Sequence, residues 1–173
     1  LEVGHEMKQL KFYTIIGVIF VLATGSLAHF LYGWLGNNRM VGLFTPVNES
    51  IWEHMKLLFF PMLLYSLFIF YRFKSTYPCV VSSFCFGILT GTWLIPALYY
   101  AYTYILGKNI FLLDIGTFLL STISSFGLSY RLSLSCRLKP YTIILAFLIG
   151  VLFACFVIFS YSPPGLKIFR APA

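Results

Sequence analysis

The chain has 173 residues, of which 60% are hydrophobic and 10% are charged, and its mean hydropathy is +0.88. Soluble domains contain about 45–50% apolar and about 25% charged residues, so this composition excludes a soluble protein and indicates a polytopic membrane protein. The net charge of +7 does not indicate a nucleic-acid partner, because the basic residues are scattered among short loops. They are expected to set the topology and to contact membrane lipids.

Five segments are long and apolar enough to cross the hydrocarbon core of a membrane, which takes about 20 residues. They predict an all-α bundle with five spanning helices, at residues 12–36, 51–73, 79–106, 110–130 and 141–161. These helices are expected to form a single domain over residues 7–161. Residues 1–6 resemble a non-native leader before a start at Met7, and residues 162–173 form a proline-rich tail.

The second helix is predicted to start before its apolar segment. Thr45 is a suitable N-cap and Pro46 suits the first helical position. A helix from Pro46 to residue 73 would be about 42 Å long, so its first two turns would project into the headgroup layer. Residues 37–44 are expected to fold back over the bundle. Three side chains of this segment should face apolar surface: Val41, Leu43 and Phe44.

Basic residues near the ends of the spans predict the orientation. The face that holds the N-terminus has seven: Lys8, Lys11, Arg72, Lys74, Arg131, Arg137 and Lys139. The opposite face has five: Arg39, Lys56, Lys108, Lys167 and Arg170. Because positive residues are retained in the cytoplasm, the N-terminus is expected there and the C-terminus outside. The long connection between helices one and two is then also outside.

Polar residues that are costly beside lipid fall at one depth near the outer face. Five of them are candidates for metal ligands or for general acids and bases: His29, Glu49, Glu53, His54 and Asp114. Carboxylates and imidazoles suit Zn²⁺ or another divalent cation. Three nearby residues are further candidates: Asn48, Trp52 and Tyr100. This convergence from three helices and a loop predicts a polar site.

Two glycines are expected to bring another helix close to the histidine of helix one. Gly25 and Gly33 lie one turn before and one turn after His29, so they form a notch on one face of the helix. A backbone that enters this notch would lie close to the imidazole, which could serve the site or simply hydrogen-bond between helices.

The spacing at the start of helix two predicts how its polar side chains divide. Glu49 and Glu53 would lie about 40° apart on one helical face, so both could point at one cation or one proton. His54 would face about 100° further round the helix. In the structural alternative, one of the glutamates pairs with Lys56 and both favour the helix macrodipole.

Asp114 is the only acidic residue inside a hydrophobic run, and a carboxylate there needs a partner to offset its desolvation. It is expected to lie near His29 or near the polar turn that starts helix two. A polar stripe continues from it along helix four, formed by Thr117, Ser121 and Ser124. Such a stripe either packs helices together or lines a path through the bundle.

The four cysteines do not predict a disulfide or a redox centre. They lie at positions 79, 85, 136 and 155, with no CxxC and no metal-ligand spacing. Two of them fall inside apolar runs, where a thiol behaves as a small hydrophobic group.

Three stretches around the candidate site resemble the signature of a family of small bacterial multi-pass membrane proteins of unknown function. They are His29-Phe30-Leu31-Tyr32, then Gly36-Asn37-Asn38, and then the run from Val41 through the Thr45-Pro46-Val47-Asn48-Glu49-Ser50-Ile51-Trp52-Glu53-His54 segment to Pro61. The resemblance is specific over residues 29–61 and looser over the tail at 162–170. It implies a bacterial cell membrane location but no reaction.

Three classes of function remain open. The first is a metal-assisted or acid/base enzyme that acts on a lipid-like substrate at the outer face. The second is a protein that binds or transports a cation or another small molecule, and the third is a structural accessory subunit. No HExxH, GxSxG or P-loop motif is present, which counts against familiar enzyme classes. The five spans lack the internal repeat that is common in transporters.

Overall fold

The computed structural model describes residues 2–171, with side chains from residue 6 onward. Residue 1 of the predicted leader and residues 172–173 of the predicted tail lie outside the described residues. Within this range the chain forms six α-helices and no β-strand. The helices are α1 (Glu2–Trp34), α2 (Arg39–Gly42), α3 (Ile51–Phe73), α4 (Val80–Leu106), α5 (Phe111–Ser135) and α6 (Thr142–Phe159).

Five of these helices are long and apolar enough to span a membrane, namely α1, α3, α4, α5 and α6. They confirm the predicted all-α bundle, with predicted helices one to five corresponding to these five in order. The span at Lys139–Phe159 is the most apolar, with a mean hydropathy of 3.0, yet only 22% of it is buried. An apolar helix that turns most of its side chains outward is typical of a membrane span.

The spanning helices alternate in direction, so the bundle has two faces. The proximal face holds the N-terminus of α1, and the distal face is the opposite one, where α1 ends and α3 begins. Helices α3 and α4 are central: α3 packs on α1 and α4, and α4 packs on α5 and α6. Their buried side chains form the core, including Met55, Phe59, Met62, Phe84 and Ile88.

Helix α3 begins at Ile51, so the prediction of a start at Pro46 is wrong. Ser50 is the N-cap, and its side chain accepts from the backbone N–H of Glu53. The side chain of Asn48 accepts from the N–H of Ser50 at 2.9 Å, which stabilises a turn before the helix. The hydroxyl of Thr45 donates backward to the carbonyl of Val41 and is not a cap.

The segment between α1 and α3 folds back over the distal face, as predicted. Phe44 packs against the rings of Phe60 and Phe153, while Val41 and Leu43 are half-buried. The hydroxyl of Tyr161 donates to the carbonyl of Arg39 at 2.9 Å and ties this segment to the chain after α6.

The polar stripe on α5 packs this helix closely against α4. Thr117 and Ser121 are buried, but Ser124 is exposed, so the predicted membership is partly wrong. The buried row continues through Ser125, whose hydroxyl donates to the carbonyl of Gly87 at 2.6 Å. A Cβ atom at Gly87 would lie 1.9 Å from the hydroxyl oxygen of Ser129, so the small residues permit close contact between the helices.

A disulfide joins Cys79 to Cys136, contrary to the sequence-based expectation. Cys79 is the N-cap of α4 and Cys136 is the C-cap of α5, and their Cα atoms are 5.2 Å apart. The two residues are 57 positions apart in the chain, so no local motif reveals the pair. It closes the proximal end of the α4–α5 hairpin, while Cys85 and Cys155 are free thiols.

Candidate metal centre at the distal face

Two imidazoles and one carboxylate meet at the distal face. His29 Nε2 lies 3.9 Å from Glu49 Oε1, and His54 Nε2 lies 3.4 Å from Glu49 Oε2. The two imidazole ring centres are 5.2 Å apart. Among the described residues this is one group that could hold a metal ion, with one ligand atom from each residue and all three within 4.8 Å of one another.

Each of the three residues comes from a different element. His29 lies in the last two turns of α1, Glu49 lies in the loop just before α3, and His54 lies in the first turn of α3. The Asn48 turn and the Ser50 cap fix the point at which the loop becomes helix. They thereby place Glu49 beside the side chain of His54 rather than on a common helical face with Glu53.

Close approach of α1 to α3 brings the histidines together. A Cβ atom at Gly25 would lie 2.5 Å from the carbonyl oxygen of Leu57, so only glycine allows this contact. Pro61 removes the N–H that would otherwise bond to the Leu57 carbonyl, which leaves that oxygen free to face α1. The notch predicted at Gly25 is therefore present, but a Cβ at Gly33 would meet nothing within 4 Å, so that half of the prediction is wrong.

A backbone hydrogen bond orients the imidazole of His54. Its Nδ1 lies 2.8 Å from the carbonyl oxygen of Ser50, and because a carbonyl only accepts, Nδ1 carries the proton. Its Nε2 faces Glu49, and in the neutral imidazole this atom carries the lone pair that a metal would use. Metal-binding histidines commonly donate their other ring N–H in this way. The Nδ1 atom of His29 is buried and has no hydrogen-bond partner among the described residues.

The donor atoms are spaced closely enough for a small divalent cation. Donors bound to tetrahedral Zn²⁺ at about 2.0–2.1 Å lie about 3.3 Å apart. The pair formed by His54 and Glu49 already has a separation of 3.4 Å, and the pair formed by His29 and Glu49 is at 3.9 Å. The two contacts use different oxygens of Glu49, which is in an exposed loop position, so the carboxylate and the two imidazoles would draw together on binding a metal.

A groove with a volume of about 410 Å³ adjoins this group. Its polar wall includes His29, Asn48 and Glu49, and its other lining residues are Phe30, Tyr32, Gly33, Trp34, Pro46 and Val47. The ring of Trp34 stacks on Phe30, and Trp34 is 66% exposed. A groove with one polar wall and one exposed aromatic wall suits an amphipathic molecule.

Glu53 does not join the group, which corrects the expectation that it shares a face with Glu49. Its Oε2 lies 2.6 Å from the ammonium nitrogen of Lys56 and also accepts from the N–H of Val47. Both side chains of this ion pair are almost fully buried, at 2% and 0% exposure. The pair is the structural alternative that the sequence had left open.

Lys56 joins three parts of the distal face. Besides Glu53, its ammonium donates to the carbonyls of Gly42 and Thr45 and to the hydroxyl of Ser160, at 3.0, 3.4 and 2.5 Å. These partners satisfy the buried charge and connect α3 to the fold-back segment and to the end of α6. The spacing of Glu53 and Lys56 suggested the ion pair, but no local pattern indicated the contacts of Lys56 with Gly42, Thr45 and Ser160.

Asp114 also has a different partner from the one predicted. Its carboxylate accepts a hydrogen bond from the hydroxyl of Tyr102 on α4, and it is not part of the group formed by His29, Glu49 and His54. The predicted depth is nevertheless supported. Phe118, one turn after Asp114, touches Gly25, which is one turn before His29 on the antiparallel α1.

The three further candidates have separate roles. Asn48 shapes the loop and lines the groove. Trp52 packs among Phe156, Phe159 and Phe169. Tyr100 lines a different cavity, near the C-terminal tail.

Comparison with known proteins identifies a family but no activity. No curated protein and no solved structure matches the chain. One family model matches residues 3–173, a longer stretch than the motifs around the candidate site. The chain therefore belongs to the family of unknown function designated DUF6512.

Proposed function

We propose that this protein is a membrane-embedded enzyme that holds a divalent metal ion, Zn²⁺ in the first instance, at His29, Glu49 and His54. The observation that carries the proposal is the convergence of the three donor atoms within 4.8 Å. The hydrogen bond from His54 to the Ser50 carbonyl supports it further. Two imidazoles and one carboxylate, with a fourth position left open, are the ligands of several hydrolytic zinc enzymes.

The substrate in this proposal is lipid-like and enters along the groove beside the three ligands. Phe30 and Trp34 would contact its apolar part, while Asn48 would offer an amide to its polar part. A metal ion in this position supplies Lewis acidity and lowers the pKa of a coordinated water molecule. Glu49 is the carboxylate that faces both imidazoles, so it would bind the metal and help to orient the reacting group.

The proposal includes an orientation and a compartment. The larger number of basic residues at the proximal face supports a cytoplasmic N-terminus, with the candidate metal centre outside. The resemblance of residues 29–61 to small bacterial membrane proteins supports the bacterial cell membrane.

Transport is less well supported than catalysis. A transport path would need the polar stripe on α5 to line a cavity. In the described residues this stripe instead packs against α4. Ser125 bonds to the backbone of Gly87, and Gly91 lies against the same serine. A purely structural role describes Glu53 and Lys56 well, but it gives no reason for two imidazoles to face one exposed carboxylate.

Metal content tests the proposal directly. The full chain is purified in a mild detergent, dialysed against Zn²⁺ and then against metal-free buffer at pH 7.5, and measured by elemental analysis. We expect about one zinc per chain. Asp114→Asn is the matched control, because it removes a carboxylate at a similar depth outside the group. Absence of stoichiometric metal from the wild-type chain, across Zn²⁺, Mn²⁺ and Fe²⁺, would overturn the metal site.

A further inference from the structure

A second cavity lies on the distal face and shares no lining residue with the groove at the metal centre. Its volume is about 310 Å³, and it is lined by Ile51, Tyr99, Tyr100, Lys167, Arg170 and Ala171. It therefore brings together the first residue of α3, the outer part of α4 and the C-terminal tail. The cationic side chains in its wall come from the tail.

Within residues 2–171 the two cations of this cavity have no acidic partner. The ion pairs among the described residues involve His29, His54 and Lys56, and neither Lys167 nor Arg170 takes part. The guanidinium of Arg170 makes one hydrogen bond, to the carbonyl of Gly165 at 3.3 Å, so most of its donors are available. Two unpaired cations beside one concave surface favour an anionic ligand.

The tail that carries these cations is docked rather than free. A single 3₁₀ turn, Lys167–Phe169, packs against α3. The ring of Phe169 lies 4.8 Å from that of Trp52 and 5.6 Å from that of Phe159. This aromatic contact fixes Phe169, which lies between Lys167 and Arg170 in the chain. The two cations are therefore held over the cavity before a ligand arrives, and binding costs little additional conformational entropy.

The dipole of α3 and a tyrosine hydroxyl add to the positive electrostatic potential of this cavity. Ile51 is the first residue of α3, a helix of 23 residues, so the cavity lies at the positive end of a long helix dipole. Tyr100 is 41% exposed and can present its hydroxyl, whereas Tyr99 is nearly buried. Arginine, lysine and tyrosine donors around one concavity match the several oxygens of a phosphate group.

We propose that Lys167, Arg170 and Tyr100 form an anion site that binds a phosphate group at the membrane surface. The source of the phosphate is either a phospholipid headgroup or a free phosphate ion, since both present the same oxygens. The apolar members of the wall, Ile51 and Ala171, leave room for the carbon atoms next to a phosphodiester. This site does not depend on the metal centre.

The test compares two variants that lose the same charge. Lys167→Gln with Arg170→Gln removes the cations of the site, and Lys108→Gln with Lys139→Gln removes two exposed lysines elsewhere. Binding of short-chain phosphatidylglycerol to the detergent-purified full chain is measured by native mass spectrometry, with and without inorganic phosphate as competitor. Thermal melting and zinc content are recorded for both variants, so that a folding defect or a metal effect is visible.

We expect one lipid per wild-type chain, an affinity at least about tenfold lower in the Lys167/Arg170 variant, and little change in the control. Competition by millimolar phosphate would support a site for the phosphate group itself. If phosphate does not compete and the Lys167/Arg170 variant still loses its affinity for the lipid, the result would support a phospholipid headgroup. Equal loss in both variants, or no lipid and no phosphate bound to the wild-type chain, would overturn the site.

Discussion

Gly25 of α1 lies directly against the carbonyl oxygen of Leu57 on α3. A side chain at this glycine would place its Cβ 2.5 Å from that oxygen and 2.7 Å from the ring of Phe118. Three helices therefore meet at a point that admits no additional atom. His29 lies one turn above Gly25, and its distance from the imidazole of His54 depends on this contact.

Gly25→Ala should destabilise the bundle and loosen the candidate metal centre. The added methyl group must push α1 away from α3, because a backbone oxygen cannot move aside as a side chain can. We expect a loss of about 1–3 kcal/mol in the free energy of unfolding and a lower zinc content. Gly127→Ala is the control, since a Cβ there meets nothing within 4 Å. Equal melting temperatures for the two variants would show that the close contact is unimportant.

Substitution of the three proposed ligands should reduce zinc binding without unfolding the chain. His29→Ala and His54→Ala each remove a nitrogen donor, and Glu49→Gln replaces a carboxylate by a weaker, neutral amide oxygen, so we expect an affinity at least about tenfold lower by competition with a zinc chelator. Asp114→Asn should retain zinc, because its carboxylate bonds to Tyr102 instead. Loss of zinc in Asp114→Asn, with retention in His54→Ala, would reverse this assignment.

The same zinc binding should weaken in acid. A metal needs the lone pair of an imidazole Nε2, and protons compete for that lone pair more strongly as the pH falls. Affinity should therefore be nearly constant above pH 7.5 and fall steadily as the pH drops through 6. A chelator titration at several pH values measures this, and an affinity that is flat between pH 5.5 and pH 8 would argue against histidine ligands.

The Glu53–Lys56 pair should matter for stability and not for the metal. Lys56→Met leaves a buried carboxylate without its counter-charge, which typically costs about 3–5 kcal/mol. The double variant Glu53→Gln with Lys56→Met removes both charges and should recover part of that loss. Lys108→Met, at an exposed lysine, controls for the change in net charge. Zinc loss in the folded double variant would mean that Glu53 is a ligand after all.

Five spans place residues 8 and 167 on opposite sides of the membrane, so single cysteines introduced there should be labelled from opposite sides.

The Cys79–Cys136 pair gives a way to test the orientation. The basic residues favour a cytoplasmic proximal face, where thiols are kept reduced. The structure nevertheless joins Cys79 to Cys136, a bond typical of oxidising compartments, so a cytoplasmic proximal face requires both thiols to be reduced in rapidly acid-quenched cells. A disulfide in quenched cells would instead indicate that the proximal face is outside.

The sequence by itself determined the all-α class and the five helices long and apolar enough to span a membrane. These features are local, because a run of about 20 apolar residues has only one way to satisfy its backbone in lipid. The glycine spacing around His29 likewise identified the close approach at Gly25. The fold-back of the segment that contains Phe44 was also evident from its position between two spans.

Only the tertiary structure decided which polar groups meet. Because α3 starts at Ile51 rather than at Pro46, Glu49 lies outside the helix. The rotation of about 100° per residue that would have placed Glu49 and Glu53 on one face therefore does not apply to this pair. The two glutamates therefore separate, one to the histidines and the other to Lys56. Tyr102, the partner of Asp114, and the pairing of Cys79 with Cys136 depend on how α4 and α5 pack. Contacts of that kind join residues distant in the chain, and no local pattern encodes them.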